Sequence, residues 1–221
     1  MDIFLVRHAQ SQSNVDPNIL KIQTNMAINL SPIGIEQATE TGFFLADYII
    51  NSNNNPIKPI TVKVWNSPYN RTRQTAQLIK EQLSQKNHNI LSQESIYISE
   101  RQFGLVDDVE DYHQKFKHED KHYQLHKESN HDFFARPPLG ESPFDMCLRL
   151  DFFLKKFIAN DKTAEQHIVV SHGAAIRGLI MMHQNQTYEE YTAPNPPNAS
   201  VRLLNDSFYI GEIFKPKQST F

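Results

Sequence analysis

Three short apolar runs in this chain, Ile3–Val6, Thr61–Trp65 and His167–Val170, each hand over within a few residues to groups suited to an anion. The first leads to Arg7-His8, the second to Ser67-Pro68-Tyr69-Asn70-Arg71, and the third to Ser171-His172-Gly173. Singly, an Arg-His pair after such a run is more often a capping or surface feature than a catalytic one. Gathered at one edge, two guanidiniums and two imidazoles would suit a tetrahedral dianion, because guanidinium forks make bidentate, charge-assisted bonds to phosphate oxygens. A neutral imidazole in that setting can also attack phosphorus and hold the phosphoryl group covalently. The chemistry implied is phosphoryl transfer.

Positioning such groups requires strands that end together. The three runs read as strands, with a further short strand expected at Ser95–Ile98 and a closing hairpin, Ala199–Leu204 with Phe208–Ile213. Helices are expected from Ser31 to Ile50, with Ser31 as N-cap and Pro32 at the first helical position, then over Tyr69–Leu83, Pro143–Ile158 and Gly173–His183. Asn51–Pro59 reads as a loop. Strands alternating with helices predict an α/β fold: three α/β/α layers around a mainly parallel sheet, as one domain over residues 1–221. Ligands of such sheets gather beyond the carboxyl ends of the strands, where these motifs fall. Between about 105 and 140 the chain is polar and histidine-rich, and reads as an exposed excursion or lid.

Composition narrows the partners. With 22 Lys and Arg against 25 Asp and Glu, bulk charge recruits neither nucleic acid nor a membrane surface. No run approaches the ~20 apolar residues of a membrane span, and Met1–His8 lacks the features of a signal peptide, so a cytoplasmic protein is expected. Cys147 is the one cysteine, which excludes an intramolecular disulfide and a cysteine-based zinc site. Only 7 of 221 residues are glycine, and neither G-x-G-x-x-G nor G-K-[ST] occurs, so side chains must do much of any phosphate holding.

The motifs continue along the chain: Arg7-His8-Ala9-Gln10-Ser11 with Asn14, Leu30-Ser31 ahead of Gly34 and Gln37-Ala38, Ser67 through Ala76, Glu100-Arg101-Gln102-Phe103-Gly104, Gly140-Glu141-Ser142, and Ser171-His172-Gly173. In order and spacing they resemble the histidine phosphatase superfamily, branch 1, the phosphoglycerate-mutase-like proteins. The resemblance implies that His8 accepts the phosphoryl group, that Arg7, Arg71 and His172 bind its oxygens, and that Glu100 donates the proton. Asn14 would be an accessory phosphate contact. Arg101 and Arg136, with Lys115 and Lys117, are candidates for touching the substrate beyond its phosphate, whereas Arg73 is left to the helix surface. No cofactor or metal is called for.

Ala9 stands where the family usually has glycine and Gln10 where Glu is common; Ala9 should therefore sit at negative φ. The activity implied is hydrolysis of a small phosphorylated metabolite through phosphohistidine. A phosphoglycerate-mutase-type transferase and a phosphate-binding or phosphoprotein-binding module without turnover are the alternatives. His118, His122 and His126 recur every fourth residue and could share a helix face toward a metal; a solvated face is the plainer reading.

Overall fold

The computed structural model describes every residue except 53–58, 106–111, 130, 188–190, 192, 206–208 and 218–221. Six strands form one sheet: β1 (Asp2–Arg7), β2 (Thr61–Asn66), β3 (Asn89–Glu94), β4 (Gln166–Ser171), β5 (Val201–Leu204) and β6 (Tyr209–Phe214), in the order β3-β2-β4-β1-β5-β6. The first four in that row are parallel, while β5 and β6 run antiparallel at one edge.

Alternation along β1 builds the layers. Ile3 and Leu5 point into one core with Trp65 and Val169; Phe4 and Val6 point into the other with Val62, Val64, Ile168 and Val170. The first core is closed by helices α4 (Pro143–Phe153) and α5 (Gly173–Gln184), which contribute Met146, Leu150, Phe153, Ile176 and Leu179. The second is closed by α1 (Pro32–Ser52) and α2 (Asn70–Gln85), through Leu45, Ile49, Ala76, Ile79 and Leu83. Apolar burial on both faces explains why these strands are nearly continuous hydrophobic runs. The remaining long helix, α3 (Lys117–Ser129), buries none of its residues, as its polar sequence predicts.

Most element ends fall within a residue or two of the sequence reading, the last turn of the Pro143–Ile158 helix being π-helical over Leu154–Ile158, and two segments differ in kind. The strand expected at Ser95–Ile98 lies earlier, at Asn89–Glu94, and Ile96–Ile98 is a 3-10 turn. Asn89–Glu94 is an edge strand with an exposed polar face, so it carries no alternating apolar signal. The loop expected at Asn51–Pro59 begins later, since Asn51 and Ser52 complete α1, and most of it lies outside the described residues.

Ser31 caps α1, its Oγ accepting from Gly34 N–H at 3.0 Å. Gly34 is there for a close approach: a Cβ would sit 1.9 Å from the Gln10 carbonyl oxygen, in the loop beside His8. Gly34→Ala should therefore cost about 1–3 kcal/mol, the usual penalty for forcing atoms into packed space. A lowered urea midpoint at unchanged slope would register it; an unchanged midpoint would mean the loop gives way freely.

Candidate active site

The three carboxyl ends that matter are neighbours and level. Arg7 pairs with Ser171 across β1 and β4, and Asn66 with Val170 across β2 and β4. His8, Ser67 and His172 are the next residues out. The ladder extends to the first two, with His8 N–H donating to Ser171 O at 2.8 Å and Ser67 N–H to Val170 O at 3.3 Å.

His8 is 5% exposed, and its Nδ1 lies 2.8 Å from the Ala9 carbonyl oxygen. A carbonyl only accepts, so Nδ1 carries the proton and Nε2 the free lone pair. Ala9 takes negative φ, as expected from the sequence, and its N–H donates to Thr75 Oγ1 at 3.1 Å. His172 is fully buried, its ring centroid 5.3 Å from that of His8. Here the tautomer is reversed. Arg71 Nη2 lies 3.3 Å from His172 Nδ1 and can only donate, so Nε2 holds the proton and donates to Ser67 Oγ at 2.7 Å. Ser67 Oγ in turn meets Thr72 Oγ1 at 2.8 Å.

Both cations are held before any ligand arrives. Arg71 is 5% exposed; its Nη1 donates to Asn25 O at 2.7 Å and to Asn25 Oδ1 at 2.9 Å, and its guanidinium stacks 4.6 Å from the Tyr69 ring. Arg7 Nη1 donates to Pro196 O at 2.6 Å, while its Nε is buried without a partner. Burial draws both guanidiniums below their ordinary pKa, opposed by the charge of Glu100. Glu100 is partly buried, with Oε1 accepting from Arg101 N–H at 3.0 Å. Its backbone is braced by Arg149, which donates to Glu100 O at 3.1 Å and Tyr97 O at 2.6 Å while paired to Glu141.

Burial, then the charges of Arg71 and Arg7, holds His8 well below the usual imidazole pKa. His172 is lowered too, by burial first and then by His8 and Arg71. The unfolded chain, with imidazoles near pH 6.5, therefore takes up these protons first as pH falls. Stability should be complete above about pH 6.5 and decline below it by up to about 1.4 kcal/mol per pH unit for each ring. Urea midpoints between pH 7.5 and 5.5 test this, and a flat profile would contradict it.

The other expected residues divide. Arg101 borders a cavity of about 560 Å³ with Tyr69, Asn25, Gln102 and Phe103; its Nε donates to Glu141 O, and one terminal nitrogen is buried without a partner. Arg136 is exposed and engaged twice by Asp145, Nε at 2.8 Å, so its fork is occupied at the start of α4. Arg73 is likewise committed at the surface, to Glu94 at 2.6 Å. Asn14 reaches the site indirectly. Its Oδ1 accepts from Ser11 N–H at 3.0 Å and from Asn198 Nδ2 at 3.3 Å, and Asn198 Nδ2 also donates to His8 O at 3.0 Å.

Asn198, Ala199, Asn25 and Arg149 have no counterpart in the sequence reading. Ala199 adopts φ +57°, which brings its N–H to the carbonyls of Arg7, at 3.1 Å, and His8, at 3.3 Å. The Pro196-Pro197-Asn198 stretch ahead of a strand was the one available signal for that turn. Among the described residues no three His, Cys, Asp or Glu side chains gather as a metal site would need; His122 and His126 stack along α3, centroids 6.4 Å apart. No described helix is long and apolar enough to cross a membrane.

A family profile, that of the histidine phosphatase superfamily (branch 1), matches residues 3–207. The chain belongs to this superfamily. It is 29% identical over 213 residues to a phosphoglycerate mutase-like protein of Arabidopsis thaliana, covering 91% of this chain but 64% of that longer protein. It is 24% identical over 195 residues to a 2,3-bisphosphoglycerate-dependent phosphoglycerate mutase of Rhizobium rhizogenes, covering 87% and 84% of the two chains. Among solved structures, a putative α-ribazole-5′-P phosphatase of Escherichia coli superposes with TM-score 0.68 at 19% identity, over 92% of this chain and 89% of the other. A mycobacterial glucosyl-3-phosphoglycerate phosphatase gives 0.67 at 17%, over 98% and 99%. At such identities these structures establish the shared fold. Superfamily membership supports phosphatase- or mutase-type phosphoryl transfer.

Proposed function

We propose that this histidine phosphatase superfamily member is a phosphomonoester hydrolase acting on a small phosphorylated metabolite through a phosphohistidine at His8. The observation that carries this is the buried imidazole whose Nδ1–H is committed to Ala9 O, leaving an Nε2 lone pair beside Arg7, Arg71 and His172. In-line placement and charge stabilisation are what phosphoryl transfer chiefly needs. Arg7 and Arg71 supply the charge, and His172 joins the oxygen-binding set by turning its Nε2–H from Ser67 Oγ to a phosphoryl oxygen.

Nε2 attacks phosphorus, the P–O bond to the leaving group breaks, and protonated Glu100 gives its proton to the departing alkoxide. Ionised Glu100 then takes a proton from water as that water attacks phosphorus, the P–N bond breaks, and orthophosphate leaves with His8 neutral again. A positioned acid and base of this kind is worth typically 10²–10⁴-fold. The organic part of the substrate is assigned to the cavity of about 560 Å³ beside Tyr69. Arg101 is the one cation among its described lining residues. With Arg136 tied to Asp145, that single cation favours hydrolysis over mutase action, which must hold a bisphosphorylated carboxylate.

Incubation with a chromogenic phosphomonoester and, separately, with a phosphoglycerate primed by its bisphosphate tests the reading. Steady release of free phosphate with little isomerisation is the expected result. Rapid isomerisation with scant free phosphate would make the protein a mutase, and neither activity would leave a binding module.

A further inference from the structure

A second cavity, of about 330 Å³, lies on the β5–β6 side of Arg7, lined by Arg7, Gln10, Gln37, Asn198 and Lys215, with Ile33 and two prolines. Its lining shares only Arg7 with the residues assigned to phosphoryl transfer. No Asp or Glu is among the described lining residues. At ~30 Å³ per water it has the volume of about ten waters, ample for a small oxyanion.

The hydrogen-bond inventory fixes its character. Gln37 Oε1 accepts from Gln10 N–H at 3.0 Å, and Gln10 Oε1 accepts from Ser31 Oγ at 2.7 Å. Both amides therefore have their oxygens consumed, which fixes their orientation and leaves two NH₂ groups without a described partner. Gln37 is only 8% exposed, so most of its side chain is held by packing. Lys215 adds an ammonium at the rim, and Arg7 Nε is buried and unpaired. Asn198, also in the lining, gives its Nδ2 to His8 O and Asn14 Oδ1. Two amides whose oxygens are already engaged, together with two cationic residues, line one concavity, a composition suited to negative oxygen.

We propose that this cavity is a second anion site, taking a carboxylate or phosphate group separate from the phosphoryl group at His8. Since Arg7 borders both spaces, an anion here sits one side chain away from the proposed nucleophile. Binding can be read without turnover, so this inference and the proposed hydrolysis stand or fall separately.

Calorimetric titration of the full chain with inorganic phosphate tests it. Two classes of site are expected. Gln37→Glu keeps the oxygen that Gln10 N–H needs and replaces the donor by a negative atom; Lys215→Glu reverses charge at an exposed position. Each should weaken the same class by at least tenfold, whereas Arg71→Ala should weaken the other. A single class, lost in Arg71→Ala and untouched by both glutamates, would overturn the proposal; should Gln37→Glu not fold, Lys215→Glu decides alone. With two classes established, Lys215→Glu also locates the ligand's source. A raised KM for a carboxylate-bearing phosphate ester but not for phenyl phosphate assigns the anion to the substrate. Equal KM values assign it to a separate anion, and either assignment keeps the site.

Discussion

Replacing His8 by alanine should lower phosphatase turnover by at least about 10³-fold with little loss of stability, because the reaction loses its nucleophile while the loop around it keeps its supports. Those supports are main-chain atoms or other residues: His8 N–H to Ser171 O, Ala9 N–H to Thr75, and the Asn198 and Ala199 donors on His8 O. Removing a group that works as part of a catalytic unit costs about as much as removing the unit, which is why the expected loss is so large. The ring also puts a buried, desolvated imidazole beside two guanidiniums, whose charges oppose its protonation. Chromogenic turnover and urea midpoints on the same preparations check both halves. Turnover within tenfold of wild type would mean the histidine is not the phosphoryl acceptor.

Arg71→Ala should be the next most damaging change, lowering kcat/KM by about 10²–10³-fold, the range found when one preorganised donor to developing negative charge is removed. Its guanidinium is already fastened to Asn25 and stacked on Tyr69, so it need not reorganise as the phosphoryl group arrives. Arg71→Lys separates charge from geometry. A lysine preserves the positive charge but cannot make the fork, nor reach Asn25 and His172 together, so it should recover only a fraction of the loss. Because Arg71 also donates to His172 Nδ1, its removal frees that ring to change tautomer. Steady-state kinetics of both variants are the check, and full recovery by lysine would show that charge alone is used.

Much of this was legible in the sequence because the decisive residues abut buried strands. Arg7, His8 and His172 follow continuous apolar runs whose burial on both faces leaves few other readings, and their strands are adjacent in the sheet. Arg71 comes from the resemblance of the Ser67–Ala76 motif, and it falls in the first turn of α2, where it is buried. What escaped was contributed by main-chain geometry and by long-range partners. The Asn198-Ala199 turn works through a positive φ and a carbonyl 190 residues from Asn198, neither of which a local pattern encodes. Arg136 is a candidate for substrate contact in the sequence, but Asp145 at the start of α4 engages its fork, a pairing nine residues apart that no local pattern marks. The β3 edge strand was displaced for the complementary reason: a strand exposed on its outer face needs no alternation to form, only a partner, which β2 provides.

The most direct test is to mix the protein with a phosphomonoester, quench within the first turnover and map any phosphate retained on the polypeptide. Phosphate recovered on the peptide bearing His8, stable to alkali and lost in mild acid, is the predicted outcome. Label on a serine, threonine or carboxylate, or hydrolysis at full speed with no labelled enzyme on that timescale in wild type, would contradict the account.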